Sequence, residues 1–468
     1  MTRYLFGFLC VCALGVMPLV GCSETTGDGG SGGAAGDGGS GGTAGDGGSG
    51  GTILCDDNSD CFSSNDCIKR VCANGMCVDG NEPRDKRCDL GDGVHHGVCD
   101  DAGTCVGCNA DEQCDDFNDC TSGICESADA VCDHAPVVDG TPCAGGTCQA
   151  GQCALTDTLL PCTEQSIRNA IAAGGDEPYT FDCDRPTTVF AKWEIVIDND
   201  VILDGEGNLT VDGSRMEYVP GGLEFPETVF RVESVAELLG FGVSESPGRG
   251  ILNDGTLRIT NSVVWGNSGS GIVGGGPLTI TNSTLSGNSE SGIVGGGPLT
   301  ITNSTLSGNS ENGIVVGGGP LTITNSTLSG NSGHAISVPA CAWLGCPPPE
   351  PASIEITHSL IDGDCTRGDQ SDATWTSNGY NIESPGYTCG LDPEGTDQVN
   401  VSAEDLNLGP LAENGGPTMT HALEAGSVAI DQIPEADCQV GEDQRGLPRP
   451  VVIVGPESCD VGSVEVQP

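Results

Sequence analysis

Between positions 278 and 281 Leu278 and Ile280 alternate with Thr279 and Thr281. Alternation with period two puts apolar side chains on one face and hydroxyls on the other, the pattern of a half-buried strand. Two further short apolar runs begin at Leu285 and at Ile293-Val294, each after a polar corner rich in Gly and Asn. The string GGGPLTITNSTLSGNS then recurs at 274–289, 295–310 and 317–332. The asparagines Asn261, Asn282, Asn303 and Asn325 fall 21, 21 and 22 residues apart, the extra residue being the doubled Val315-Val316. Three strands and three corners in so short a period predict one coil of a parallel β-helix.

Stacking explains the repetition. In such a solenoid each residue sits ~4.8 Å above its equivalent, so a residue that suits one coil suits the next. Leu stacks on Leu and Ile on Ile inside, while Asn261, Asn282, Asn303 and Asn325 are expected to form an amide ladder at a corner. The pairs Gly287-Asn288, Gly308-Asn309 and Gly330-Asn331 suit left-handed corner conformations. Asn-Ser-Thr also matches a glycosylation acceptor, but here it is read as ladder chemistry.

Degenerate coils extend the pattern upstream in EIVIDNDVILDGEGNLTVDGS and VFRVESVAELLGFGVS, and downstream in SIEITHSLIDGD. The sum is about eight coils, a rod of ~40 Å. Before them Thr163 to Ala173 carries Ile167, Ala170 and Ile171 on one helical face and stops at Gly174-Gly175. This predicts a short amphipathic helix capping the open first coil.

Cysteine spacing sets off another region. Cys55, Cys61, Cys67, Cys72, Cys77, Cys88, Cys99 and Cys105 form one unit, and Cys108, Cys114, Cys120, Cys125, Cys132, Cys143, Cys148 and Cys153 a second, with the first four cysteines of each identically spaced. Eight cysteines in a unit too short for a self-sufficient core predict four disulfides per module, of unspecified connectivity. A zinc site is the alternative, but Cys105-Val106-Gly107-Cys108 is the only close pair, and it straddles the boundary. Four local couples, Cys162/Cys183, Cys341/Cys346, Cys365/Cys389 and Cys438/Cys459, complete the disulfide candidates. Asp56, Asp57, Asp60, Asp66, Asp115, Asp116 and Asp119 offer carboxylates to calcium, but no spacing matches a calcium loop, so a solvated acidic surface is expected and no cofactor is assigned.

The N-terminus predicts export. Arg3 precedes a short apolar run ending Leu19-Val20-Gly21-Cys22, which reads as a signal peptide and resembles a bacterial lipobox with Cys22 as the lipid-bearing residue. An ordinary signal peptide cut nearby is the alternative. Ser23 rather than Asp follows Cys22, which by the same resemblance implies the outer membrane. From there GDGGSGG occurs three times, at Gly27, Gly36 and Gly45. Such a segment is expected to stay disordered, with a root-mean-square span of ~30 Å. The expected segments are a signal peptide at 1–21, the lipidated Cys22 and linker at 22–54, disulfide-rich modules at 55–107 and 108–154, a β-helix at 160–400 and a C-terminal region at 401–468.

The run CTEQSIRNAI followed by the coils resembles right-handed parallel β-helix proteins of the pectate-lyase-like superfamily. SNGYNIES, LGPLAENGGPTMTHALEAGSVAID, EDQRGLPRP and CDVGSVE resemble the choice-of-anchor Q domain that follows such β-helices on bacterial surface proteins. The resemblance implies export, surface display and a right-handed all-β solenoid, and it brings no established activity.

Charge and chemistry narrow the function. With 16 Lys+Arg against 67 Asp+Glu the formal net charge is −51, so nucleic acid is excluded as a partner. Lyases of the resembled superfamily use a basic residue with calcium-holding carboxylates, and related hydrolases use paired aspartates. No Lys or Arg lies between Thr260 and Thr366, and the perfect copies hold only Glu290 and Glu311 as ionisable groups. Candidates remain at the edges: Lys192, Arg215, Arg231, Arg249, Arg258, Asp198, Asp200 and Asp204 upstream, and Asp362, Asp364, Arg367, Asp369 and Asp372 downstream. His421 with Asp431 is a conceivable dyad, but a structural histidine is the expectation. No catalytic or metal-ligating residue is assigned. The expected role is non-catalytic binding, adhesion or envelope scaffolding at the outer-membrane surface, held to the lipid membrane by Cys22, with glycan or envelope contacts and Trp343 and Trp375 as candidate sugar platforms. The alternatives are a polysaccharide lyase or hydrolase and, on the Thr-x-Thr pairs 279/281, 300/302 and 322/324, an ice-binding face.

Overall fold

The computed structural model describes residues 114, 118–126, 131–216, 228–339, 352–368, 372–451 and 457–468, together with the strand backbone at 68–73, 76–81, 87–89, 96–99 and 105–106. The signal segment, Cys22, the glycine-rich linker, Cys341, Cys346, Trp343 and Asp369 lie outside the described residues.

The two cysteine-rich modules share one topology. In the first, Ile68–Ala73 pairs antiparallel with Met76–Asn81, and Arg87–Asp89, His96–Cys99 and Cys105–Val106 form a three-stranded meander. In the second, Thr121–Glu126 pairs with Val131–Pro136, and Pro142–Cys143, Gly146–Gln149 and Gln152–Leu155 repeat the meander. Disulfides join Cys120 to Cys148 and Cys143 to Cys153. The sulfurs of Cys120, Cys143 and Cys153 lie within 4.8 Å of one another, but each is consumed in a disulfide, which removes the thiolates that zinc needs. Asp119 accepts from the Ala144 N–H at 3.0 Å and so braces the module's backbone.

From Leu159 to Ser384 the strands build a right-handed parallel β-helix. A coil comprises a first strand such as Leu278–Thr281, a second such as Thr284–Ser286 and a third such as Ile293–Gly295. First and second strands merge into a 17-stranded sheet that bends at the Asn corner into two faces, termed the first and second sheets, and third strands form a separate eight-stranded third sheet, in accord with the expected number of coils. The degenerate coils fall where the alternation placed them, in Ile195–Ile197, Val201–Asp212, Phe230–Val232, Val235–Ser244, Ser353–Thr357 and Leu360–Asp362. Leu257, Leu278, Leu299 and Leu321 stack in register, as do Val264, Leu285, Leu306 and Leu328. All are buried, each contributing ~1.5–3 kcal/mol of apolar transfer.

The corners correct the expected ladder. Asn261, Asn282, Asn303 and Asn325 adopt left-handed φ of 46–52°, and the side-chain oxygens of Asn282, Asn303 and Asn325 have no hydrogen-bond partner. The amide ladder instead runs through the next corner. Asn267 donates to Asn288, Asn288 to Asn309 and Asn309 to Asn331, at 2.9, 2.9 and 2.8 Å. A serine ladder lies beside the first corner, where Ser262, Ser283, Ser304 and Ser326 each donate a backbone N–H to the hydroxyl of the next coil's serine. The extra residue of the third copy also moves. Val315 pairs with Val294 and Val316 with Gly295, so the insertion is absorbed at the following corner, where Gly319 takes φ 71°.

Both ends of the apolar column are closed. The helix Glu164–Ala173 is capped by Thr163, whose hydroxyl accepts from Ser166 N, and it buries Ile167, Ala170 and Ile171. Asn199 donates to the Ile171 and Ala172 carbonyls, which the helix end leaves open. Cys162–Cys183 ties the first coil to the next, and Cys365–Cys389 ties the last coils to a closing loop.

Candidate functional site

The β-helix presents three long faces, and their fates differ. On the second sheet, Thr284, Thr305 and Thr327 and Ser286, Ser307 and Ser329 point outward in two rows, yet all six are buried. The cover is the C-terminal region, with strands Leu408–Ala412, Thr420–Leu423, Ile433–Pro434 and Ser458–Cys459 and the Cys438–Cys459 disulfide.

Gln444 is the central polar anchor of this seam. Its side-chain nitrogen donates to Thr284 Oγ1 and Thr418 Oγ1, both at 2.9 Å, and its oxygen accepts from Thr305 Oγ1 at 2.6 Å. One coil further, Ser463 N donates to Thr327 Oγ1 at 3.0 Å. Asn303 donates to the Glu442 carbonyl at 2.9 Å. Asn303 and Asn325 are only 6% and 1% exposed, so these two glycosylation-like motifs are closed to modification in the folded chain, whereas Asn282 is half-exposed.

Behind Gln444 lies a buried ionic network. Arg445 donates to Asp443 Oδ2 at 2.6 Å, and Arg449 faces Glu465 at 3.6 Å while donating to the Gly462 carbonyl at 3.0 Å. Burial pushes the Glu465 carboxyl up to about 7, with the neighbouring Asp460 charge acting in the same direction. Burial also raises Asp460 and lowers the Arg449 guanidinium. These acid and arginine side chains hold the chain's last residues against the rod.

His421 belongs to the seam too. Its Nδ1 lies 2.7 Å from the Gly409 carbonyl, which only accepts, so Nδ1 carries the proton and Nε2 accepts from Ser307 Oγ at 2.8 Å. Burial holds the imidazole below its usual pKa. A serine and a neutral base are thus in contact, but Ser307 and His421 are 4% and 7% exposed. Gly409, not Asp431, orients the ring, and the Asp431 N–H instead donates to Asp460. The pair is a clasp between rod and cover. The sequence offered Ser307 only as one of several identical serines; the register and the return of the C-terminal chain single it out.

The charged candidates at the rod's edges are dispersed among local tasks. Asp200 accepts from Ser234 Oγ and Val235 N, which lowers its pKa. Asp204 caps Glu206 N. Arg231 pairs with Glu194 at 2.9 Å, Arg215 lies over the Phe190 ring, Asp362 accepts from Ser329 Oγ and Asp364 faces His334 at 3.2 Å. Arg258 is exposed on the first sheet.

Trp375 is placed otherwise than expected. It continues an inward row, pairing with Ile354 above Leu321, and packs against the core as the lid of the last coil, with Arg367 over its ring at 5.0 Å. It offers no open platform to a sugar.

The first sheet is the open face. Register aligns Pro277, Thr279 and Thr281 with Pro298, Thr300 and Thr302 and with Pro320, Thr322 and Thr324. The prolines and Thr300 are exposed and the other threonines half-exposed. The third sheet shows a half-exposed row of Leu252, Val273, Val294 and Val315.

Residues 199–368 match a protein family described as a right handed beta helix region. No curated protein matches the chain in sequence. Among solved structures, the crystal structure of pectate lyase Pel9A aligns with a TM-score of 0.41 at 15% identity, covering 64% of this chain and 91% of that one.

Proposed function

We propose that this chain is a non-catalytic binding scaffold displayed at a bacterial outer-membrane surface, anchored through a lipid on Cys22 and contacting glycan along the open first sheet. The observation that carries the reading is the contrast between faces. In the perfect copies the second sheet is already occupied by the chain's own C-terminal region, while the first sheet is open and uncharged. Lyase chemistry needs a base beside charge-stabilising groups, and the chain has no Lys or Arg from Thr260 to Thr366. The choice-of-anchor Q resemblance of the C-terminal segments agrees with surface display.

Two measurements test it. The oxidised chain is incubated with acidic and neutral polysaccharides, with and without calcium, while unsaturated-product absorbance and new reducing ends are followed. No turnover together with retention on a glycan panel is expected, and sustained turnover on any substrate overturns the scaffold reading. For the anchor, Cys22→Ala is expected to move the protein from the membrane to the soluble fraction; unchanged fractionation removes the lipid from the proposal.

A further inference from the structure

We infer that the outward proline and threonine lattice of the first sheet docks on the flat surface of an ordered, uncharged polysaccharide. The inference rests on the binding-scaffold reading and gives it a face and a ligand class. Pro277, Thr279 and Thr281, with their equivalents in the next two coils, form three columns in parallel register. Coils ~4.8 Å apart and alternate residues ~6.7 Å apart make a patch of ~10 by ~13 Å.

Its chemistry is uniform. Threonine supplies a hydroxyl that both donates and accepts beside a methyl group, and β-branched Thr and cyclic Pro have little side-chain freedom to lose on contact. The border is charged, with Glu237 and Arg258 in register on one side and Glu355 on the other. Within that border nothing ionises, in a chain of formal charge −51. An anionic polymer meets repulsion from such a chain, and a neutral one does not.

The adjoining corner is bare as well. Gly275 and Gly296 have no positive φ and no neighbour that a Cβ would strike. Neither backbone strain nor packing requires glycine there, and its effect is that no side chain rises beside the patch. A soluble oligosaccharide is usually held in a concave cleft. This face is planar and repetitive, so it fits a ligand that is itself planar and repetitive.

The test mixes the oxidised full chain with microcrystalline cellulose and chitin powders and, separately, with soluble pectate, and measures the protein left free. Depletion by a neutral powder is expected, with roughly tenfold weaker binding for Thr300→Glu, because a charge is then pressed against an uncharged surface. Thr300→Val, which keeps shape and removes a hydroxyl, is expected to lose a few-fold. Ser337→Glu, on the outer side of the third sheet, is expected to bind as the parent does, and circular dichroism confirms that each variant folds. Equal powder binding by Thr300→Glu and the parent overturns the assignment of this face while leaving the scaffold reading intact. Retention on pectate alone overturns the neutral ligand class. Absence of binding to any polysaccharide overturns the glycan reading itself. Inhibition of ice growth by the parent but not by Thr300→Glu, without powder depletion, also overturns the inference, because the lattice would then order water.

Discussion

The second and first sheets of the same three coils carry almost the same hydroxyl chemistry and have opposite fates. Thr305 and Ser307 are buried under the C-terminal region, whereas Thr300, a few residues earlier in the same coil, is exposed. The difference lies in the partner. On the second sheet the hydroxyls meet Gln444, Ser463 and His421, each placed to complete their hydrogen bonds. Buried polar groups are tolerated only when so completed, and the chain supplies those partners for one face alone. A hydroxylated β-helix face is therefore not open by composition; it stays open only where no other part of the chain satisfies it.

The contrast can be broken most severely from inside. Leu306 is stacked between Leu285 and Leu328 with no exposure, so Leu306→Ala is expected to cost ~2–5 kcal/mol and to loosen both faces together, measured by denaturant unfolding. Loss of protection in only one sheet would show that the faces do not share a core.

Gln444→Ala is the selective counterpart. It strips partners from Thr284, Thr305 and Thr418 and is expected to cost ~2–3 kcal/mol. Hydrogen exchange should accelerate across 401–468 while the amides of Leu299–Thr302 stay protected. Uniform acceleration over the whole rod would deny the seam its independence.

A smaller effect follows from pH. The Glu465 carboxyl, near 7 in the fold against 4.5 ordinarily, binds its proton more tightly in the folded state. Its stabilising contribution is present below pH 4.5 and is lost as the pH rises through about 7. His358 and His421, both pushed down by burial, act oppositely, contributing stability above pH 6.5 that is lost as the pH falls. Comparison with Glu465→Gln isolates the first contribution. The unfolding midpoint of the parent should fall relative to the variant between pH 5 and 8, and parallel profiles would contradict the assignment.

The weakest change is expected on the open face. Thr302→Val should alter stability by no more than about 0.5 kcal/mol, because its half-exposed hydroxyl serves no buried partner comparable to Gln444. A loss as large as that of Gln444→Ala would mean that the first sheet is also a seam.

Legibility followed the range of the interactions. The cap helix was readable because Thr163, Ile167, Ala170, Ile171 and Gly174 lie within one local pattern. The position of the amide ladder was not, since two columns of asparagine repeat with the same period. Only the backbone at each corner decides which amides face one another: φ near 50° turns Asn282 away, while Asn288 meets Asn309. Trp375 was misplaced for a similar reason. Its direction depends on pairing in register with Ile354 of the preceding coil, and a shift of one residue reverses a strand's faces.

The sequence by itself determined the solenoid, its period, its approximate number of coils and the disulfides Cys162–Cys183, Cys365–Cys389 and Cys438–Cys459, because stacked coils and short-range links leave local, repeating signals. Only the tertiary structure decided which hydroxylated face is closed. Gln444 reaches Thr284 across 160 residues and Ser463 reaches Thr327 across 136, and no periodicity encodes where a distant, non-repeating segment comes to rest. That choice depends on satisfying buried donors and acceptors in three dimensions, where each partner's value exists only once the other is in place.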